Sequence, residues 1–581
     1  MRKLPIYSIS IFIILLIGMK ISFAQDIETV SKAPIFTTNG GISFSQISNY
    51  IPGDTTRRAD PYSYYLAGNI NFNVLKVVSV PLSFAYTNNQ VTSDATLPFN
   101  RFTITPSYKW IKVYAGYSSL SFSPYTLSGH EIFGGGIEIT TEKGIKASAI
   151  YGRLQKEVRP DSGITEPSYR RMGGGFKFEY TNKFADIGFN IFKAKDVPNP
   201  AFYSITDSFV TPKDNLTGSI FMDFKLVKKL KLNVEYAFST INSDISKSDS
   251  LTKTIKDRFI EQSGDISTQH AIKLAVSQST VIGTIGATYE KVEPNYNTFG
   301  AYYLLNDYEN ITANLATSVK NVLNLAMETG YQHDNLLNQK LNSNKRFIFS
   351  ANASSMITKR MNVGISFSNT QSFVHIKDIY KEVVATNQFQ NLDTLSFSQI
   401  NITSSGMINY ILKSTKENRQ NINVTFTYQE ASGQQKSQTM YSGNQIYNSV
   451  ISYQFSKIPQ KLNFSTSLNY NHNKLPGGYM GMLSYNMSIQ KTLFEKFKMS
   501  FINTYSRSFN DSLTLANILN TRFSMSYTYQ KRHSFNLSLA KVYNHGLKRT
   551  FTQYSANLTY SYIFDCNVNR KDKKLKFEGD F

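Results

Sequence analysis

Cysteine is nearly absent: Cys566 is the single one in 581 residues. That excludes an intrachain disulfide framework and any Cys-rich zinc or iron–sulfur site. Tryptophan also occurs once, and charged residues make up only 18%. Gly (32) and Pro (16) are not enriched, so collagen-like and low-complexity readings fail. Past the N-terminus no apolar run approaches the ~18 residues of a membrane-spanning helix. The spacing i, i+3, i+4 is hard to find anywhere after residue 25. HExxH, GxSxG and Walker patterns are missing. What is abundant is aromatic: 37 Tyr and 41 Phe, within a 41% hydrophobic composition. That is too apolar for a disordered chain. The formal net charge of +22 points to nucleic acid or to an anionic membrane surface.

The N-terminus chooses between them. Arg2 and Lys3 precede a compact apolar stretch, Ile9 to Ile17, too short to cross a bilayer. Ser22-Phe23-Ala24 then puts small residues at the −3 and −1 positions of a cleavage site before Gln25. These features read as a secretory signal peptide over 1–24, so an exported chain is expected, with no role for nucleic acid.

One pattern fills the rest. In Tyr62 to Val74, Tyr62, Tyr64, Leu66, Ile70 and Phe72 alternate with Ser63, Tyr65, Ala67, Asn69, Asn71 and Asn73. The same period of two recurs at Leu230–Phe238, Leu462–Tyr470, Leu519–Tyr529 and Tyr554–Phe564. It predicts strands with one apolar and one amide or hydroxyl face. Short basic turns near Lys76, at Lys109 to Lys112, Lys228-Lys229, Lys359-Arg360 and Gln530 to Arg532, among others, alternate with longer polar connections. The long ones are read at 49–61, 88–99, 119–129, 154–168, 194–213, 241–265, 293–307, 333–344, 372–399, 430–444, 472–478, 508–517 and 545–551. Short and long in turn is what an up-and-down meander gives when its ends face different compartments. The expected fold is all-β: a single up-and-down antiparallel transmembrane β-barrel of about 24–28 strands, 26 fitting best. Its expected bounds are 40–565. A short periplasmic segment, 25–39, precedes it, and a tail or terminal β-signal, 566–581, follows. Tyr62, Tyr64, Tyr527, Tyr529, Tyr560 and Tyr562 suit interfacial girdles.

The signal peptide, the alternation and the two loop lengths resemble large integral outer-membrane β-barrel proteins of Gram-negative bacteria. The block Pro98-Phe99-Asn100-Arg101-Phe102 through Ser123-Pro124-Tyr125-Thr126-Leu127-Ser128-Gly129-His130 looks like barrels of the Bacteroidota type. The resemblance implies the outer membrane as location, and its lipids and insertion machinery as partners. The chain departs from better-known subclasses, because 25–39 leaves no room for an N-terminal plug or periplasmic repeats. Leu575, Phe577 and Phe581 alternate as in a C-terminal insertion signal.

Chemistry is sparse. None of the seven histidines (130, 270, 333, 375, 472, 533, 545) sits in a ligand cluster. His130 after Ser128-Gly129 invites a Ser–His pair, but serine is so common that chance explains it. Gly134-Gly135-Gly136 and Gly173-Gly174-Gly175 lie inside strand patterns, which favours tight packing or curvature over phosphate binding. Asp54, Asp60, Asp244, Asp249, Asp257 and Asp265 lie in outer loops without a calcium-loop spacing. No catalytic, cofactor-binding or metal-binding residues, no cofactor and no enzymatic activity are expected. The basic turns suit anionic headgroups, each cation contributing about 1 kcal/mol. The polar strand face, with scattered Lys231, Glu235, Lys273, Glu328, Arg507 and Arg522, reads as a wet lumen. The expected function is a polar channel for passive or partner-driven passage of solutes or macromolecules. The alternative is a structural, partner-binding barrel of a secretion or envelope machine. Because about 26 strands enclose a wide hole, something must fill or flatten it. Infolded loops 241–265 and 372–399 are the expected filling, with a strongly elliptical cross-section or a separate plug or periplasmic partner protein as the alternatives.

Overall fold

A computed structural model describes residues 35–53, 60–75, 77–88, 101–158, 168–198, 211–226, 229–246, 260, 265–319, 322–339, 345–369, 372–375, 397–435, 438–475, 478–510, 513–547 and 549–568. The signal peptide, loop residues 376–396 and the segment with Leu575, Phe577 and Phe581 lie outside them. The main sheet has 28 strand segments. Arg101–Ile104 with Ser107–Tyr108, and Met361–Ser368 with Ser372–His375, are each one wall strand interrupted. The wall therefore has 26 antiparallel strands. It closes where Phe36–Tyr50 pairs with the last strand, from Phe36↔Val568 to Tyr50↔Tyr554. Closure leaves no edge with unpaired backbone, which is the condition for strands in lipid.

Alternation explains the two faces. Phe44, Tyr151, Phe189, Ile220, Ile311, Phe347, Ile451 and Leu468 point outward and are exposed. A contiguous apolar outer surface of this size is a lipid-facing one. Aromatics gather at its two levels. Tyr64 stacks near Phe44 and Tyr86 at the long-loop end. At the short-turn end His533 stacks on Tyr562, with ring centroids 4.7 Å apart, and its Nδ1 lies 2.9 Å from the Tyr560 hydroxyl. The short turns have hairpin chemistry. Gln530 and Lys531 both take positive φ (49° and 60°), and the Arg532 amide donates to the Tyr529 carbonyl at 3.0 Å. Two successive positive φ values match the right-handed twist of the flanking strands.

Two boundaries differ from expectation. The first strand begins at Phe36, not at residue 40, and the last runs to Val568, past 565. Cys566 is consequently a buried wall residue paired with Thr38. Four expected outer loops, 430–444, 472–478, 508–517 and 545–551, are largely hairpin arms. Pairing continues to Gln435↔Gln438, Leu475↔Gly478, Asn510↔Leu513 and His545↔Thr550. Beyond the membrane a strand no longer needs an apolar face, so these Asn-, Gln- and Ser-rich arms hide from a hydropathy pattern.

Candidate functional site

The lumen is divided into two arcs, and glycine makes the division. Gly116, Gly134, Gly152 and Gly173 lie side by side on four neighbouring strands and face inward. Together they form a strip of bare backbone. One step along, Gly175 leaves a notch: a Cβ there would sit 2.8 Å from the ring of Phe122 and 3.1 Å from that of Phe192. Over this strip lies the outer loop 119–131, folded into the barrel. Its Leu120, Phe122 and Leu127 pack with Ile132, Ile150, Leu154, Phe192 and Phe299. Leu127 is 0% exposed.

A second outer loop, 293–307, joins it. Leu127–Ser128 and Gly300–Ala301 pair as a two-stranded parallel ribbon inside the lumen. Tyr125 (1% exposed) and Tyr296 (0%) pack edge to face, 6.4 Å apart, with Ala237, Ala271 and Val292 beneath them. The Tyr296 hydroxyl donates to the Tyr125 carbonyl at 3.0 Å, and the Thr298 hydroxyl to the Thr126 carbonyl at 2.5 Å. The two loops are thus one body.

Wall carboxylates hold that body in place. Glu235 accepts the hydroxyls of Ser123 on the plug and Ser219 on the wall. Glu290 accepts the Tyr125 hydroxyl at 2.5 Å. Burial first, and then the Glu290 charge, hold the Tyr125 phenol well above its ordinary pKa, so it stays a donor. Asn215 accepts the Phe299 amide at 3.0 Å, and Asn190 accepts the Thr126 hydroxyl at 2.6 Å. Arg171 is bidentate to Asp196 (2.8 and 3.1 Å) and lies 3.7 Å from the centroid of the Phe299 ring. Buried charges of this kind persist because they are paired and hydrogen-bonded.

The outer edge of the plug carries a titrating contact. His130 stacks on Tyr302 at 4.2 Å, and its Nδ1 lies 2.9 Å from the Glu131 carbonyl. Glu131 pairs with Arg101 at 2.5 Å. Burial pushes His130 down to about 4, against a raising hydrogen bond to Glu131 and with help from the Arg171 charge. A depressed histidine contributes its full stabilisation above the ordinary pKa of ~6.5 and loses it as pH falls towards 4. Acidification from pH 7 to 4 is expected to loosen the loop by up to about 3 kcal/mol. Protease nicking within 119–131, followed against pH, reads this out. A profile flat from pH 7 to 4, or one unchanged by His130→Gln, contradicts it.

The remaining arc, from Met361 through the closure to Thr87, is lined differently. Its inward side chains are mainly Asn, Ser, Thr and Gln, most of them half-exposed. They bond to one another, as in Ser366–Ser405 (2.5 Å), Ser484–Ser506 (2.8 Å), Ser524–Ser538 (3.1 Å) and Ser45–Thr559 (2.8 Å).

Lys231, Glu235, Lys273, Glu328 and Arg522 take inward register positions, as the alternation implied. Arg507 does not: it shares the outward row with Leu483 and donates to Thr514 at 2.6 Å. Among the described residues, loops 119–131 and 293–307 fold into the lumen. Of 372–399 only the ends are described; of 241–265 the described residues are 241–246, 260 and 265, with Ile245 and Ile260 buried and the Ile245 amide donating to the Pro212 carbonyl. Asp244 accepts the Ser246 amide at 2.9 Å, a turn contact, while Asp54, Asp249 and Asp257 fall outside the described residues. The glycine triplets lie in paired strands, and His130 packs against a ring.

Closure, strand number and an apolar belt define the class: a transmembrane β-barrel of the large bacterial outer-membrane type. No protein-family model matches the sequence, and no curated protein does. Among solved structures, the chain is similar to the translocation pore of the P pilus usher PapC. The TM-score is 0.37 at 8% identity, over 90% of this chain and 99% of that one. It is also similar to the siderophore receptor PirA of Pseudomonas aeruginosa (TM-score 0.38, 10% identity, 90% and 80% covered). A third is the copper transporter OprC (0.35, 10%, 90% and 80%). At such identities the likeness is one of barrel architecture and does not extend to cargo.

Proposed function

We propose that this protein is a passive channel for polar solutes in the outer membrane of a Gram-negative bacterium, narrowed by its own loops 119–131 and 293–307. One observation carries the reading: the lumen is split into an arc filled by those loops and an arc faced with half-exposed amides and hydroxyls. Porins of 16–18 strands already enclose an aqueous channel, so a wall of 26 keeps room for one beside the plug. The lining replaces part of a solute's hydration as it passes. The basic short turns seat the other rim among anionic headgroups. Purified protein in a planar bilayer is expected to give stable open steps. A silent protein that co-purifies with a stoichiometric partner favours the partner-binding barrel instead.

A further inference from the structure

We propose that the cargo is an uncharged, hydroxyl-rich solute, a neutral oligosaccharide by chemical class; this rests on the channel reading above. The argument is the segregation of charge around the lumen. The plugged arc holds paired ions: Lys146–Glu179 at 2.9 Å, Lys177–Glu179 at 3.6 Å and Lys225–Asp186 at 2.7 Å. Lys146 and Lys177 share the one Glu179 carboxylate, and Lys225 has Asp186 to itself. The arc that the described loops leave uncovered runs from Met361 through the closure to Thr87. Its inward register positions carry only Arg419, Lys498, Arg522 and Asp565 as charged residues among the described strand side chains.

Between those few charges the carpet is continuous. Asn423, Ser452, Ser467, Asn486, Thr504 and Asn520 form one unbroken row across six strands, each paired with the next. The row is self-bonded through Asn423–Ser452 (3.5 Å), Asn486–Ser467 (3.3 Å) and Thr504–Asn486 (2.5 Å). The buried Asn520 and Asn469 side-chain oxygens accept no hydrogen bond from protein.

Amides and hydroxyls donate and accept in equal measure, as sugar hydroxyls do. A polyol exchanges its water bonds for lining bonds at small net cost. Along this row an ion meets no counter-charge and keeps its own hydration against a weakly polar wall. Rings that would grip a sugar face are scarce: Tyr65 and Phe551 are the inward aromatics of this arc among the described strand side chains. The lining is therefore suited to weak, repeated contact and release.

The test uses the full-length protein in proteoliposomes. Solute-driven swelling is measured with a neutral glucose tetrasaccharide, a uronic-acid tetrasaccharide and a glucosamine tetrasaccharide, with salt conductance recorded in parallel. The neutral sugar is expected to enter severalfold faster than either charged one. The double variant Ser467→Asp with Asn486→Asp is expected to slow the anionic sugar and speed the cationic one. If salt conducts but the three sugars enter alike, or a charged one leads, the cargo proposal is overturned and the channel stands. If the double variant leaves the relative rates unchanged, the row does not line the path and the proposal falls. If neither salt nor sugar passes, the channel reading fails and takes the proposal with it.

Discussion

Replacing residues 120–128 with a Gly-Ser linker of equal length raises the single-channel conductance by roughly half or more and sensitises cells to large antibiotics. The size follows from geometry, since conductance tracks open cross-section and cross-section grows with the wall left uncovered. The wall itself survives, because the strands on either side, Ile111–Ser118 and Ile132–Thr140, pair directly with each other. Heat-modifiable gel mobility checks that. Point changes grade the effect. Tyr125→Ala removes a ring that is 1% exposed, a loss of about 3–5 kcal/mol. Tyr125→Phe keeps the ring but takes the donor from Glu290, costing about 1–3 kcal/mol. Conductance should rise in the order Phe, Ala, linker. Wild-type conductance and antibiotic resistance in the linker variant mean that the loop does not obstruct the path.

The architecture was legible because a membrane barrel repeats one instruction. The pairing Tyr236↔Ile272 and the alternation Leu230–Phe238 are the same statement, read in space and in sequence. The plug was not legible, for a reason that lies in its residues. Leu120, Phe122, Tyr125 and Leu127 have no strand or helix period that matches their burial: Leu120, Phe122 and Leu127 join one cluster with Ile132, Ile150, Leu154 and Phe192, and Tyr125 a second with Ala237, Ala271 and Val292. Loop length drew attention to 241–265 and 372–399, which lie largely outside the described residues, but length says nothing about what a loop can bury. The available signal was composition: loops 119–131 and 293–307 carry Leu120, Phe122, Tyr125, Leu127, Tyr296 and Phe299, where an exposed loop has no use for them. Arg507 misled through alternation itself, since a cation in an outward row sits comfortably near headgroups. The glycine strip needed the register. Four glycines from four strands become neighbours only after pairing, and nothing in the separate runs Gly134-Gly135-Gly136 and Gly173-Gly174-Gly175 reveals it.

That strip supports the other large expected effect. Gly152→Val is expected to destabilise the barrel by about 3 kcal/mol or more, the upper end for overpacking. A Cβ at Gly152 would stand 2.4 Å from the Phe133 carbonyl oxygen and 2.7 Å from the Gly134 Cα. Both are backbone atoms of the adjacent strand, so no rotamer change relieves the clash. The strands must part, and Gly134 meets the mirror problem, with a Cβ 2.0 Å from the Tyr151 oxygen. Parting them lifts the floor on which the plug rests, so the variant should lose both unfolding resistance and the closed plug. Gly406 provides the control. It lies in the strand Phe397–Ser414, opposite outward-facing Phe426, and a Cβ added there would meet nothing within 4 Å. Gly406→Val therefore adds an apolar side chain to a lipid-facing row and should be close to neutral. Urea unfolding of the two variants in detergent, with gel mobility as the signal, compares them directly. Equal midpoints mean that the close approach of Gly134 and Gly152 is not what shapes this part of the wall.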